Sequence, residues 1–206
     1  MRRLLILPLL LLSAFAHADQ QTRSVPAFTA IDSKGAISIA VEVGKAQSVV
    51  VSGNEKFVSS VVTEVVGGEL KIYLREKSAT STTGEPRVTI TVPELRQFKV
   101  EGAGPTEISN ISGERMDISY RGAGSLKATG KVKWLRLKAQ GVGEVNTKAL
   151  LAEHADVDFE GVGSVKVYAS DRLNAVVNGM GSLNYYGHPR TVNKSVQGIG
   201  SVGAGD

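Results

Sequence analysis

The stretch Val157-Asp158-Phe159-Glu160-Gly161-Val162-Gly163-Ser164-Val165-Lys166-Val167 alternates apolar and polar residues on both sides of a Gly-x-Gly triplet. Alternation with period two is the mark of a strand with one buried face. The paired glycines mark a corner, where a residue without Cβ takes φ > 0 or lets another backbone approach closely. The same triplet stands at Gly102-Ala103-Gly104, Gly122-Ala123-Gly124, Gly141-Val142-Gly143, Gly161-Val162-Gly163, Gly179-Met180-Gly181 and Gly198-Ile199-Gly200, in steps of 20, 19, 20, 18 and 19 residues. A fixed period of this kind signals stacked units, each burying its apolar face only against its neighbours.

Aligning the units on their first glycine assigns a direction to each position. Two residues before it stand Val100, Tyr120, Ala139, Phe159, Val177 and Val196. Four before it stand Phe98, Ile118, Leu137, Val157 and Ala175, with Lys194 breaking the column. Four after it come Leu126, Val145, Val165, Leu183 and Val202, with Thr106 the exception. These positions point inward. The residue just before the glycine is always polar, from Glu101 to Gln197, and points out. Each unit is therefore strand, glycine corner, strand, and the repeats form rungs about 4.8 Å apart. A flat array of hairpins is the competing arrangement with the same period.

Residues 25–92 also alternate, as in Ile37, Ile39, Val41, Val43 and again in Val88, Ile90, Val92. Gly67-Gly68, between two such runs, predicts a hairpin, because a two-residue turn requires positive φ. Residues 75–87, rich in Ser and Thr without a period, predict an exposed loop. Residues 1–18 read as a secretory signal: Arg2 and Arg3, an apolar core at 4–12, and the cleavage site Ala16-His17-Ala18. The apolar core is far shorter than the ~20 residues that span a bilayer, so no transmembrane segment is expected after its removal.

The Gly-x-Gly-Ser repeats, together with Val92-Pro93-Glu94-Leu95 and Leu183-Asn184-Tyr185-Tyr186-Gly187-His188-Pro189, resemble the exported bacterial family labelled putative autotransporter adhesin, head GIN domain, formerly a domain of unknown function. The likeness runs from Phe28 to Val202. It implies an all-β fold of β-helix character and an adhesin-like role, with no catalytic residues to carry over. Pro105 after Gly104 and Glu144 after Gly143 depart from the family's small polar residue and put local corner geometry in question. The sequence carries no membrane β-barrel region of the kind an autotransporter uses, so self-translocation is not expected.

Composition narrows the chemistry. The 206 residues hold 24 Lys+Arg, 20 Asp+Glu and no Cys, which excludes a disulfide scaffold, a thiolate zinc site and a cysteine nucleophile. Losing Arg2 and Arg3 with the signal lowers the net charge from +4 to +2, so nucleic-acid affinity is not expected. His154 and His188 lie in different units without metal-ligand spacing, and no triplet opens a helix as a nucleotide fingerprint would. No metal or cofactor is expected.

Two surface features are candidate ligand sites. Lys131, Lys133, Arg136 and Lys138 surround Trp134, a basic row suited to acidic polysaccharide or lipid phosphate, or simply a solvated edge. Tyr168 and Tyr186 each follow a first glycine by seven residues, so a solenoid places them in one column, either as a sugar-binding ladder or as structural stacking.

The reading is an all-β protein: a signal peptide at 1–18, N-terminal antiparallel or alternating strands at 19–95, and a β-helix-like solenoid of about six Gly-x-Gly repeats at 96–206, the two strand regions forming one continuous domain. Its function is that of an exported, periplasmic or secreted, non-catalytic adhesin-like binder of the cell envelope. The alternatives are a polysaccharide-active β-helix enzyme, in which Glu101, Asp158 and Glu160 share a face, and a purely structural periplasmic module. The expected partners are envelope polysaccharide or another envelope protein, with homo-oligomers forming if the last repeat leaves open strand edges.

Overall fold

The structure is a computed structural model and describes residues 19–75 and 86–205. The expected signal peptide and most of the expected loop at 75–87 lie outside the described residues. The protein is all-β: the described residues form one curled twelve-stranded sheet and a single short helix, α1 (Glu55–Ser60). In chain order the strands are β1 (Asp19–Thr22), β2 (Ala30–Ala36), β3 (Ser38–Val43), β4 (Ser48–Gly53), β5 (Val61–Val66), β6 (Glu69–Leu74), β7 (Arg87–Val92), β8 (Gln97–Thr147), β9 (Leu150–Tyr168), β10 (Arg172–Tyr186), β11 (Thr191–Gly198) and β12 (Ser201–Ala204).

The repeat units lie in parallel, with equivalent positions in register. Gly161 pairs with both Gly141 and Gly179, and Gly179 pairs with Gly198. Within the 51-residue β8, the glycine corners sit directly on one another, Gly122 against the Gly102 carbonyl and Gly141 against that of Gly122. A step of 18–20 residues along the chain thus becomes one inter-strand step in space. The inward columns are buried in the inner layers, with Phe98, Ile118, Leu137, Val157 and Ala175 forming one and Leu126, Val145, Val165 and Leu183 another. In the last layer Val196 is exposed, because no further layer covers it among the described residues. A short third segment, Gly130–Val132 against Leu150–Ala152, also pairs in parallel.

The first half differs from a separate antiparallel region. β2 and β3 pair in parallel with the start of β8, with Gly35 opposite Gly102 and Ile39 opposite Thr106. Residues 30–43 are therefore a further layer of the same stack. β6 and β7 add another on its far side, parallel to β2 and β3 respectively. Among the described residues, antiparallel pairing is confined to the outer layers, where β5 covers β6, β4 covers β7 and β1 covers β4. The β5–β6 hairpin turns at Gly67-Gly68, both with positive φ, as the glycine pair requires. α1 starts where the Asn54 side chain accepts the Phe57 amide at 2.8 Å.

Among the described residues three buried hydroxyl groups lack a hydrogen-bond partner: Ser33, Thr106 and Tyr120. Tyr120 is 4% exposed, and burial pushes its phenol above the ordinary value. An unpaired buried hydroxyl costs about 1–3 kcal/mol, so Tyr120→Phe is expected to raise stability by about 1 kcal/mol. Because the folded state holds the phenol's proton more tightly, stability falls as pH rises through and above the free phenol's titration range. The phenylalanine variant lacks that loss. Urea unfolding at neutral and alkaline pH checks both parts; a variant less stable than the parent at neutral pH would refute the first.

Candidate functional site

Register turns the outward positions into rows running along the stack. Arg121, Gln140 and Glu160 stand on successive layers and are hydrogen-bonded in series, Arg121 donating to Gln140 at 2.8 Å and Gln140 to Glu160 at 2.8 Å. Asp156, Asn174 and Asn193 form a second ladder, with Asn174 donating to Asp156 at 2.6 Å and Asn193 to Asn174 at 2.9 Å. On the other wall Lys166 bonds Glu144 at 2.8 Å, a charged hydrogen bond that holds the ammonium's pKa above its usual value. Exposed pairs of this kind add little stability singly. They set which chemical groups face outward, and in what order.

The basic row lies on this surface with counter-charges beside it. Lys133 is 3.5 Å from Glu114 and Lys138 is 3.9 Å from Asp158, while Arg136 stands opposite Asp156 in the register. Lys131 is exposed opposite Leu151. Trp134, 39% exposed, stacks on His154 of the next layer with ring centroids 4.0 Å apart. Neighbouring carboxylates thus offset two of the four cations.

Tyr168 and Tyr186 are register partners on adjacent layers, both half-buried. Lys148 stands at the equivalent position one layer earlier and extends its ammonium to 3.8 Å from the centre of the Tyr186 ring. The result is a column of two phenols carrying a cation, a contribution the sequence reading missed because Lys148 is 38 residues from Tyr186. Aligning +7 positions across units exposes it.

Of the carboxylates raised for an enzyme, Asp158 and Glu160 are alternate residues on one face of β9, about 7 Å apart along the strand, whereas Glu101 is remote from both. Glu101 and Glu160 occupy the same column three layers apart, about 14 Å at the ordinary strand spacing. Glu160 accepts from Gln140, and Asp158 faces Lys138. A charged depression of about 510 Å³ is lined by Glu94, Glu114 and Asp117 among others. Each of these three acids has a basic partner: Arg96 at 2.7 Å, Lys133 at 3.5 Å and Arg115 at 3.0 Å respectively. The Arg96 guanidinium holds the Glu94 carboxyl below its usual range, opposite to the shift a general acid needs.

The corner residues between the paired glycines form an exposed aliphatic ridge, with Val142, Val162, Met180 and Ile199 along it. The family model described as "Putative auto-transporter adhesin, head GIN domain" matches residues 27–189, which takes in β2 to β10, five of the six glycine corners and both candidate surfaces. The chain belongs to the head GIN domain family.

Solved structures share the fold of this head GIN protein at low sequence identity. A putative adhesin from Bacteroides fragilis superposes with a TM-score of 0.75 at 21% identity, covering 92% of this chain and 98% of the other. A putative adhesin from Parabacteroides merdae gives 0.55 at 18% identity, over 93% and 97% of the two chains. No curated protein matches the chain. No helix among the described residues is long and apolar enough to cross a membrane.

Proposed function

We propose that this head GIN protein is an exported, non-catalytic β-solenoid, residues 19–206 forming one domain, that binds envelope polysaccharide in the periplasm or outside the cell. The solenoid reading rests on the in-register parallel layers and stacked glycine corners. The recognition reading rests on one observation: Tyr168 and Tyr186 share a column, and the Lys148 ammonium lies 3.8 Å from the Tyr186 ring centre. Aromatic faces suit sugar rings, and a cation beside them suits an acidic sugar substituent. The ion-paired carboxylates favour binding over glycoside hydrolysis, which needs one carboxyl kept protonated.

A glycan array presenting neutral and acidic bacterial envelope polysaccharides tests the proposal. The purified protein is expected to bind an acidic polysaccharide saturably. A Tyr168→Ala, Tyr186→Ala variant with unchanged circular dichroism is expected to lose at least about tenfold in affinity, the value of roughly 1.4 kcal/mol. Silence of the parent on every polysaccharide would sink the reading. Loss on neutralising Lys131, Lys133, Arg136 and Lys138, with the tyrosine variant unaffected, would move the site to the row around Trp134.

A further inference from the structure

The two ends of the stack are finished differently. At the β5/β4 end, antiparallel strands cover the last parallel layer, and α1 packs against those covering strands. At the other end β11 and β12 each pair with β10 alone, so among the described residues no strand covers their outer edges. Val196 is 40% exposed and Ile199 82% exposed there. Such an edge offers unpaired N–H and C=O groups beside apolar side chains, which is a template for an added strand.

Lys194 decides what that strand must carry. It occupies the inward column that holds Phe98, Ile118, Leu137, Val157 and Ala175 in the layers before it, and it is the register partner of buried Ala175. Its ammonium reaches across the end of the interior to the Val202 carbonyl at 3.3 Å. We propose that this last layer is a strand-acceptor surface selective for a partner strand that brings a carboxylate inward opposite Lys194, and that Lys194 refuses a second copy of this chain.

The refusal follows from register. A second copy meeting head to head runs its β11 antiparallel to the first. Side chains alternate, so inward faces match only when Lys194 stands opposite the second copy's Val192, Lys194 or Val196. Each choice encloses both copies' ammonium groups without a counter-charge, and the register that sets Lys194 opposite itself brings the two together. An inward-pointing charge at an edge is a known guard against such joining. A carboxylate opposite Lys194 removes the obstacle while the backbone pairing and the Val192 and Val196 contacts remain. This inference does not depend on which ligand the tyrosine column binds.

Charge exchange at position 194 supplies a partner strand of known register. The parent and Lys194→Glu are each expected to sediment as monomers, because like charges face each other in both. Their equimolar mixture is expected to approach twice the monomer mass, with the amides of residues 191–198 newly protected from hydrogen exchange. Lys194→Val, which restores the apolar column, is expected to self-associate alone. A monomeric mixture together with a monomeric Lys194→Val would overturn the proposal. So would a parent that dimerises with the β11 amides protected. Circular dichroism of each variant confirms that the stack is folded before mixing.

Discussion

Gly163→Ala is expected to prevent the stack from closing, with a loss above about 4 kcal/mol, which only a few mechanisms produce. Gly163 has φ +145°, a conformation alanine adopts only under strain. A β-carbon there would meet the Gly143 carbonyl oxygen closer than the 3.0 Å that real β-carbons respect. The obstructing atom is backbone, tied into the neighbouring layer, so no rotamer change relieves it. Moving the layers apart would break the parallel hydrogen bonds on both walls. Gly203→Ala is the control: a β-carbon there meets nothing within 4 Å, so its effect is expected to stay within about 0.5 kcal/mol. Urea unfolding followed by circular dichroism separates the two variants. A folded Gly163→Ala that loses no more than Gly203→Ala would refute the close-approach argument.

Phe98→Ala is expected to cost about 3–5 kcal/mol, the range for truncating a buried aromatic side chain. Phe98 is 0% exposed, and it is the register partner of Ile31 at the joint between the first-half layer and the first glycine repeat. In a stack whose stability is a sum of neighbouring interfaces, a cavity in an inner layer weakens the contacts on both sides of it. Val202, in the last layer, has a neighbour on one side only among the described residues, and Val202→Ala is expected to cost about 1–2 kcal/mol by its two lost methyl groups. Equal losses in the two variants would show that the stack does not behave as a chain of nearest-neighbour interfaces.

Most of the repeat region was legible before any coordinates because its information is local and periodic. The offsets −4, −2 and +4 from the first glycine name buried residues in the inner repeats and fail at Val196 in the last one, where the covering layer is missing among the described residues. The hairpin at Gly67-Gly68 follows from turn chemistry alone. The layer at 30–43 was harder to see because Gly35 precedes Gly102 by 67 residues rather than about 20. Its signal was present in another form: Ile31, Ser33, Ile39 and Val41 fall at the offsets −4, −2, +4 and +6 from Gly35. A search by offset pattern finds this layer, whereas a search by spacing misses it. The interruption is the covering end of the stack, inserted between this layer and the rest.

The surface was only partly legible. Column arithmetic placed Tyr168 beside Tyr186, but side-chain reach brought Lys148 over a ring two layers away. The acids beside the basic row come from other units, so a linear scan for positive charge sees four cations and none of the partners that offset two of them.

Sequence alone determined the strand content, the glycine corners and which residues face inward, because these depend on alternation and on the absence of a Cβ at set intervals. Tertiary structure alone decided the order of layers, which end is covered, and what Lys194 faces. Those depend on pairing between segments far apart in the chain, and edge hydrogen bonds available to any strand do not encode which partner takes them.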